Sequence, residues 1–186
     1  MNAIFERGQT LRIRLTLNGQ AVCAETEVRS SAADFLRDTL QLTGTHVACE
    51  EGQCGACSIK VDGNVVRGCL TLAVQLDGAT VHTLEGAALD PWVRRLQETF
   101  YERAALQCGF CTSGMLLTAA ELLRRQPRPG REAIRAYLAG NYCRCTGYEA
   151  IVDAVELAAR LGPAREESAP AADFTLVQQP CKGSPE

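Results

Sequence analysis

Ten cysteines in 186 residues constrain this chain more than any other feature of it. They stand at 23, 49, 54, 57, 69, 108, 111, 143, 145 and 181. At about 5% of the chain they fall short of the roughly 8–10% that marks a small disulfide scaffold. A reducing compartment would not keep such disulfides, so metal binding or redox chemistry is the expectation. The remaining composition is that of an ordinary globular protein, 46% hydrophobic and 22% charged, at a length suited to one or two domains. Lys and Arg number 19 against 22 Asp and Glu; the segment from Pro163 onward holds two of the former and four of the latter, leaving 17 against 18. A body so near neutral is not expected to bind nucleic acid, whose recognition rests on phosphate neutralisation. No apolar run is long enough to span a bilayer. Residues 1–20 lack the basic-then-apolar order of a secretory signal, so a cytoplasmic protein is expected. Neither a G-x-G-x-x-G nor a P-loop occurs, and nucleotide binding by those motifs is not expected.

Spacing sorts the cysteines. Cys49, Cys54, Cys57 and Cys69 read C-x4-C-x2-C with a later Cys, the plant-type [2Fe–2S] pattern. In the run Cys49-Glu50-Glu51-Gly52-Gln53-Cys54-Gly55-Ala56-Cys57, three thiolates must close on a cluster from one tightly curled loop. Gly52 and Gly55 permit positive φ and a close approach of backbone to sulfur, and Gly68 offers the same before Cys69. Turned-in N–H groups would then donate to sulfur and adjust the potential. A four-cysteine zinc site is the alternative, but zinc favours two C-x2-C knuckles over this gap and glycine density. Glu50 and Glu51 add negative charge beside this quartet, which would lower its potential; they read equally well as solvated loop carboxylates.

The second quartet joins the C-x2-C of Cys108 and Cys111 to the C-x-C of Cys143 and Cys145, across 31 intervening residues. Asp90-Pro91 is a cap and first-turn pair, followed by Trp92, Val93, Leu96, Phe100, Ala104 and Leu106 at helical spacing. After the first cysteine pair, Thr112-Ser113 could cap a helix through Met115, Leu116, Ala119, Leu122 and Leu123, broken by Pro127 and Pro129. A third helix spans roughly 131–139 and stops at Gly140. After Cys143-Arg144-Cys145, Thr146 could cap a fourth helix through Ile151, Val152, Val155 and Leu157, ending at Gly162-Pro163. Two helix–cysteine–helix hairpins packed together bring both pairs to one end, beside helix N-termini whose free N–H groups suit an anionic cluster. On spacing alone an iron–sulfur cluster, a zinc site and a redox dithiol all stay open here.

The strings ACEEGQCGACSIKVDG, GCLTLAVQ, QCGFCTSGM and NYCRCTGYEAIVDAV, in that order, closely resemble the small iron–sulfur subunit of the molybdenum hydroxylases. That family includes xanthine dehydrogenase, carbon monoxide dehydrogenase and bacterial dehydrogenases of heterocycles and aldehydes. The resemblance runs from about Leu11 to Leu161 and fills all eight ligand positions. It implies an α+β chain: a plant-ferredoxin-like β-grasp domain over 1–86, a four-helix [2Fe–2S] domain over 87–162 and a flexible extension over 163–186. It implies a relay in which electrons leave a molybdenum–pterin site on a large subunit (the cofactor in its molybdopterin cytosine dinucleotide form), cross both clusters and reach FAD on a medium subunit, the whole a dimer of heterotrimers. By resemblance the cluster of Cys108, Cys111, Cys143 and Cys145 lies nearer molybdenum and that of Cys49, Cys54, Cys57 and Cys69 nearer the flavin. Gln107 and Cys145 match the residues that meet the pterin; on sequence alone Gln107 would be a polar residue at a helix end. No catalytic residue or substrate pocket is expected on this chain, so substrate and final acceptor are not legible.

The residues support the same layout. Leu11, Ile13, Leu15 and Leu17 alternate with polar residues, and Asn18-Gly19 signals a hairpin into 21–27. A short helix over 34–42, a hairpin of 58–61 with 65–66 around Asp62-Gly63, and a strand over 79–84 follow. Rivals from other classes are a free-standing ferredoxin-like carrier, which leaves the helical half unexplained, and a zinc-dependent interaction module. His46 and His82 stand alone and read as structural or surface residues. Cys23 reads as a small buried hydrophobe in a strand. Cys181 lies in an aperiodic tail in which Phe174, Leu176 and Val177 alternate with polar residues, as an extended strap on a partner would.

Overall fold

The computed structural model describes residues 8–165, without the side chains of 87–89. Two antiparallel hairpins form first in the chain. β1 (Thr10–Leu17) and β2 (Gln20–Glu27) pair from Thr10 opposite Glu27 to Leu17 opposite Gln20. Asn18 and Gly19 close the turn with φ of 50° and 82°, the left-handed pair that matches strand twist. The second hairpin, β3 (Ser58–Val61) and β4 (Asn64–Arg67), turns the same way on Asp62 and Gly63. β5 (Thr80–His82) lies parallel to β1 and antiparallel to β3, giving a mixed sheet in the order β2-β1-β5-β3-β4. The strand expected over 79–84 is shorter, since Thr83 turns away to hydrogen-bond Asn18.

Against this sheet packs α1 (Ala32–Asp34), which continues as a π-helical turn over Phe35–Thr39. It starts two residues before the expected helix because Ser31 caps it, its Oγ accepting from Asp34 N at 3.1 Å. It stops short of Leu42 because Gln41 takes φ of 59°. Ile13, Leu15 and Leu17 of the alternating strand, with Phe35, Leu36, Ile59, Leu76 and Val81, form the buried core of this β-grasp half.

Four helices follow: α2 (Pro91–Glu102), α3 (Thr112–Arg125), α4 (Arg131–Tyr137) and α5 (Glu149–Leu161). Asp90 caps α2 as expected, its Oδ1 accepting from Trp92 N and Val93 N. The helix ends before Leu106 because Ala104 takes φ of 49°. Val93, Leu96, Phe100, Met115, Ile134 and Ile151 meet in a second core, to which α3 contributes almost every residue from Ser113 to Leu123. That burial follows from position: α3 packs on α2 and α4 and also on β3 and β4. Residues 163–165, expected to begin an extension, are held in place, with Ala164 buried and its N–H bonded to the Pro91 carbonyl at 3.0 Å. Phe174, Leu176, Val177 and Cys181 lie outside the described residues. Among the described residues no helix is long and apolar enough to cross a membrane.

Candidate metal centres

The loop from Cys49 to Cys57 curls through three left-handed positions, Glu50 at φ 56°, Gly52 at 76° and Gly55 at 72°. The curl turns the backbone N–H groups of Glu51 and Cys54 onto Cys49 Sγ, each at 3.4 Å. Those two dipoles lower the Cys49 thiol to about 7 by favouring the thiolate. Gly52 is needed for its φ, the nearby Leu70 side chain being exposed and free to move, whereas Gly68 is needed for contact with backbone. A Cβ on Gly52 would stand 2.2 Å from Leu70 Cδ1, and one on Gly68 would stand 2.9 Å from the Cys57 carbonyl. Cys57 is buried and the other three are partly exposed. Burial first, and then the neighbouring Cys57, push the Cys69 thiol up to about 11.

The other four cysteines repeat the arrangement at the N-terminal ends of α3 and α5. Gly109, at φ 80°, lets the Cys108–Cys111 turn close through Thr112 N to the Gly109 carbonyl. Cys111 itself occupies the cap position of α3, where Thr112 was expected, and makes no side-chain cap. Nor does Thr146 cap α5: its hydroxyl donates to Cys143 Sγ at 3.1 Å, and α5 starts after Tyr148, at φ 69°. The Tyr148 hydroxyl accepts from Cys143 N at 2.6 Å. The Cys108 and Cys145 sulfurs lie 3.7 Å apart. Burial opposes the Cys143 thiolate, but the hydroxyl and N–H of Thr146, the Cys145 N–H and Cys111 together outweigh it, so that thiol is lowered; burial and Cys143 push Cys111 up to about 12. Among the described residues no three Cys, His, Asp or Glu side chains converge on a point fit for one metal ion. Four thiols gathered in each quartet suit a dinuclear cluster, in which each iron takes two thiolates.

Cys108 and Cys145 are exposed, and Gln107 lies with them, its Nε2 donating to the Cys145 carbonyl at 3.0 Å. The two quartets are not independent. Tyr142 N donates to the Cys54 carbonyl at 2.8 Å and Asn141 Nδ2 to the Gly55 carbonyl at 3.2 Å. Gly114 of α3 abuts the same loop, where a Cβ would stand 2.1 Å from the Gly55 carbonyl. His46 is not a lone surface residue. Its Nδ1 donates to the Phe110 carbonyl at 2.7 Å and its ring stacks on Phe110 with centroids 4.7 Å apart, tying the approach to Cys49 to the Cys108–Cys111 turn. His82 stands opposite Lys60 across β3 and β5. Cys23 is buried on β2 and disulfide-bonded, so it is not the plain buried thiol expected from its strand pattern. Sequence reasoning missed Arg67, Asn141 and Tyr142; only their adjacency to Gly68-Cys69 and Cys143 could have marked them.

Comparison with known proteins covers both halves. A family model described as "2Fe-2S iron-sulfur cluster binding domain" matches residues 15–83, and one described as "[2Fe-2S] binding domain" matches 83–156. The gamma subunit of caffeine dehydrogenase from Pseudomonas sp. (strain CBB1) is 48% identical over 147 residues, covering 77% of this chain and 88% of that protein. A probable xanthine dehydrogenase subunit of Bacillus subtilis (strain 168) is 41% identical over 158 residues, covering 84% and 91%. Among solved structures, a chain of quinoline 2-oxidoreductase from Pseudomonas putida 86 superposes with a TM-score of 0.77 at 46% identity, covering 84% of this chain and all of that one.

Proposed function

Because the chain belongs to the small iron–sulfur subunits of the molybdenum hydroxylases, with an electron-transfer role in an oxidoreductase complex, we propose that it relays electrons from a molybdenum–pterin site to FAD through two [2Fe–2S] clusters. Cys49, Cys54, Cys57 and Cys69 hold one cluster; Cys108, Cys111, Cys143 and Cys145 hold the other. The observation that carries this assignment is that the fold gathers each quartet in one place, with the Glu51 and Cys54 N–H groups on Cys49 Sγ in the first and Cys145 Sγ 3.7 Å from Cys108 Sγ in the second. A bound [2Fe–2S] cluster accepts and releases one electron at a time. The protein's part is to place and tune. The N–H groups of Glu51 and Cys54 aim at Cys49 Sγ, and the Thr146 hydroxyl at Cys143 Sγ, where each stabilises negative charge on sulfur.

The second quartet faces the large, molybdenum-binding subunit, with Gln107 and Cys145 meeting the pterin; their mutual hydrogen bond at an exposed edge supports this. The first quartet faces the FAD-binding medium subunit. Between them, a single hydrogen bond from Tyr142 N to the Cys54 carbonyl joins ligand-bearing main chains, since Tyr142 is bonded to Cys143. The cofactor is molybdopterin cytosine dinucleotide, the assembly a dimer of heterotrimers in the cytoplasm, and the domain division 1–86 and 87–162. Co-purification of the complex from its host, with metal analysis and electron paramagnetic resonance, tests the reading. Molybdenum, flavin and two distinct reduced [2Fe–2S] signals are expected; zinc or a single cluster would sink it. Cys108→Ser and Cys145→Ser should each stop substrate-dependent reduction of the flavin in an intact complex, and undiminished reduction in either counts against the ligand assignment.

A further inference from the structure

Arg67 ends β4, two residues before Cys69, and its guanidinium reaches three separate pieces of chain. Nη1 donates to Ser58 Oγ at 2.5 Å, Nε to the Gly52 carbonyl at 3.3 Å and Nη2 to the Gly140 carbonyl at 2.7 Å. Ser58 begins β3, so that arm anchors the fork to the sheet. Gly52 lies inside the Cys49–Cys54 loop, and Gly140 stands three residues before Cys143. One planar group thus holds the backbone of both cysteine loops at once. The site is shaped for it: a Cβ on Gly140 would stand 2.7 Å from Arg67 Nη2, so a side chain there would push the guanidinium out. The neighbouring cross-loop bonds, Asn141 to Gly55 and Tyr142 to Cys54, continue the same seam. All three acceptors of the fork are uncharged. Among the described residues Arg67 forms no ion pair, so its half-buried charge sits between the two sets of thiols without a carboxylate.

We propose that Arg67 is a positioning residue that sets the separation and mutual orientation of the two clusters, and through them the rate of electron transfer between them. The inference rests on the reading that each quartet holds a cluster. Its physical basis is the fork. Arginine fixes several acceptors in one plane, whereas lysine supplies the same charge as a point on a flexible stem. Arg67→Lys therefore keeps the charge and loses the geometry, and Arg67→Gln loses both.

The test uses the assembled complex with Arg67→Lys, Arg67→Gln, Ser58→Ala and Gly140→Ala. Iron content and magnetic resonance of the parent come first: fewer than two [2Fe–2S] clusters per chain there defeats the underlying reading, whatever the variants do. With both clusters present, the spin–spin splitting of the fully reduced complex reports their separation and orientation, and it falls with the cube of distance. The splitting is expected to change in both Arg67 variants, and intercluster transfer to slow with it. Parent-like splitting and rate in Arg67→Lys overturns the proposal, because charge alone would then suffice. Should Arg67→Lys fail to load iron, Ser58→Ala and Gly140→Ala decide together. The first removes the anchoring arm together with the Ser58 hydroxyl's own 2.7 Å bond to the Gly55 carbonyl, whereas the Cβ of the second meets only the Arg67 guanidinium. A changed splitting in both supports the strut, and an unchanged splitting in either variant overturns it.

Discussion

Gly114 has no left-handed backbone to justify it, and its place on α3 is decided by what it touches. With the Gly55 carbonyl where its Cβ would go, α3 and the first cysteine loop meet main chain to main chain. Gly114→Ala should destabilise the protein by about 1–3 kcal/mol, as overpacking does, and reduce iron bound in the first quartet. Denaturant unfolding alongside iron analysis measures both, and parent-like values would mean the loop yields freely. At His82, burial first, then the charges of Lys60 and Arg124, push the imidazole below its ordinary 6.5. Asp90 is engaged by Arg124, and Glu121 acts on Lys60. The unfolded chain therefore takes up this proton before the folded one does. Stability is lost as pH falls below about 6.5 and levels off once pH passes the lowered folded value. His82→Gln should flatten that slope in the melting temperature between pH 8 and 5; an unchanged slope would locate the dependence elsewhere.

At the level of elements, α2 starts differently from the two helices that follow the cysteine pairs. α2 begins conventionally, with Asp90 accepting from Trp92 N at 3.0 Å and Val93 N at 3.3 Å, Pro91 following it and Arg124 of α3 paired to its other oxygen. Asp90→Ala should cost about 1–2 kcal/mol, and Asp90→Asn much less, because the cap survives and a partly exposed ion pair contributes little. Chemical denaturation separates the two, and equal losses would show that the ion pair rather than the cap dominates. α3 and α5 have no such caps among their side chains. The Thr146 hydroxyl that sequence pattern offered for the purpose stands on the Cys143 sulfur, and the cap position of α3 falls to Cys111 rather than Thr112. A hydroxyl beside an apolar run signals a helix start, but the same signal serves equally for a donor to thiolate.

Across the whole molecule, a buried carboxylate helps hold the sheet to the helices. Glu121, 8% exposed, accepts from Val65 N of the edge strand at 2.9 Å, from Arg125 at 2.9 Å and from the Tyr137 hydroxyl at 2.7 Å. It blunts the free edge of β4 while joining α3 to α4. Burial and Glu121 together push the Tyr137 phenol up to about 12. Glu121→Gln should bring that phenol back toward its ordinary range, seen in the ultraviolet titration of tyrosinate. Glu121→Ala should destabilise by about 2–3 kcal/mol, since it strands the Val65 N–H and the Tyr137 hydroxyl. An unshifted titration and unchanged stability would remove Glu121 from the seam.

Local rules sufficed for much of this. Asn18-Gly19 and Asp62-Gly63 take the left-handed turn their chemistry demands, the alternation of Leu11 to Leu17 becomes a half-buried strand, and Asp90-Pro91 opens a helix. Each depends on residues within a few positions, so each is written in the sequence. The first cysteine quartet is legible as well, because a cluster-binding loop needs glycines and thiols at short fixed intervals; the second joins pairs 31 residues apart, and its spacing alone left zinc and a redox dithiol open. What only the tertiary structure decided is how the quartets stand to one another. Arg67 reaches Gly140 across 73 positions, Asn141 reaches Gly55 across 86, and His46 reaches Phe110 across 64. Contacts at such separations leave no periodicity and no spacing rule, and a lone arginine or histidine has the same appearance whether it faces solvent or joins two loops. For a chain that carries electrons between two centres, the distance between those centres is therefore set by packing that no local pattern encodes.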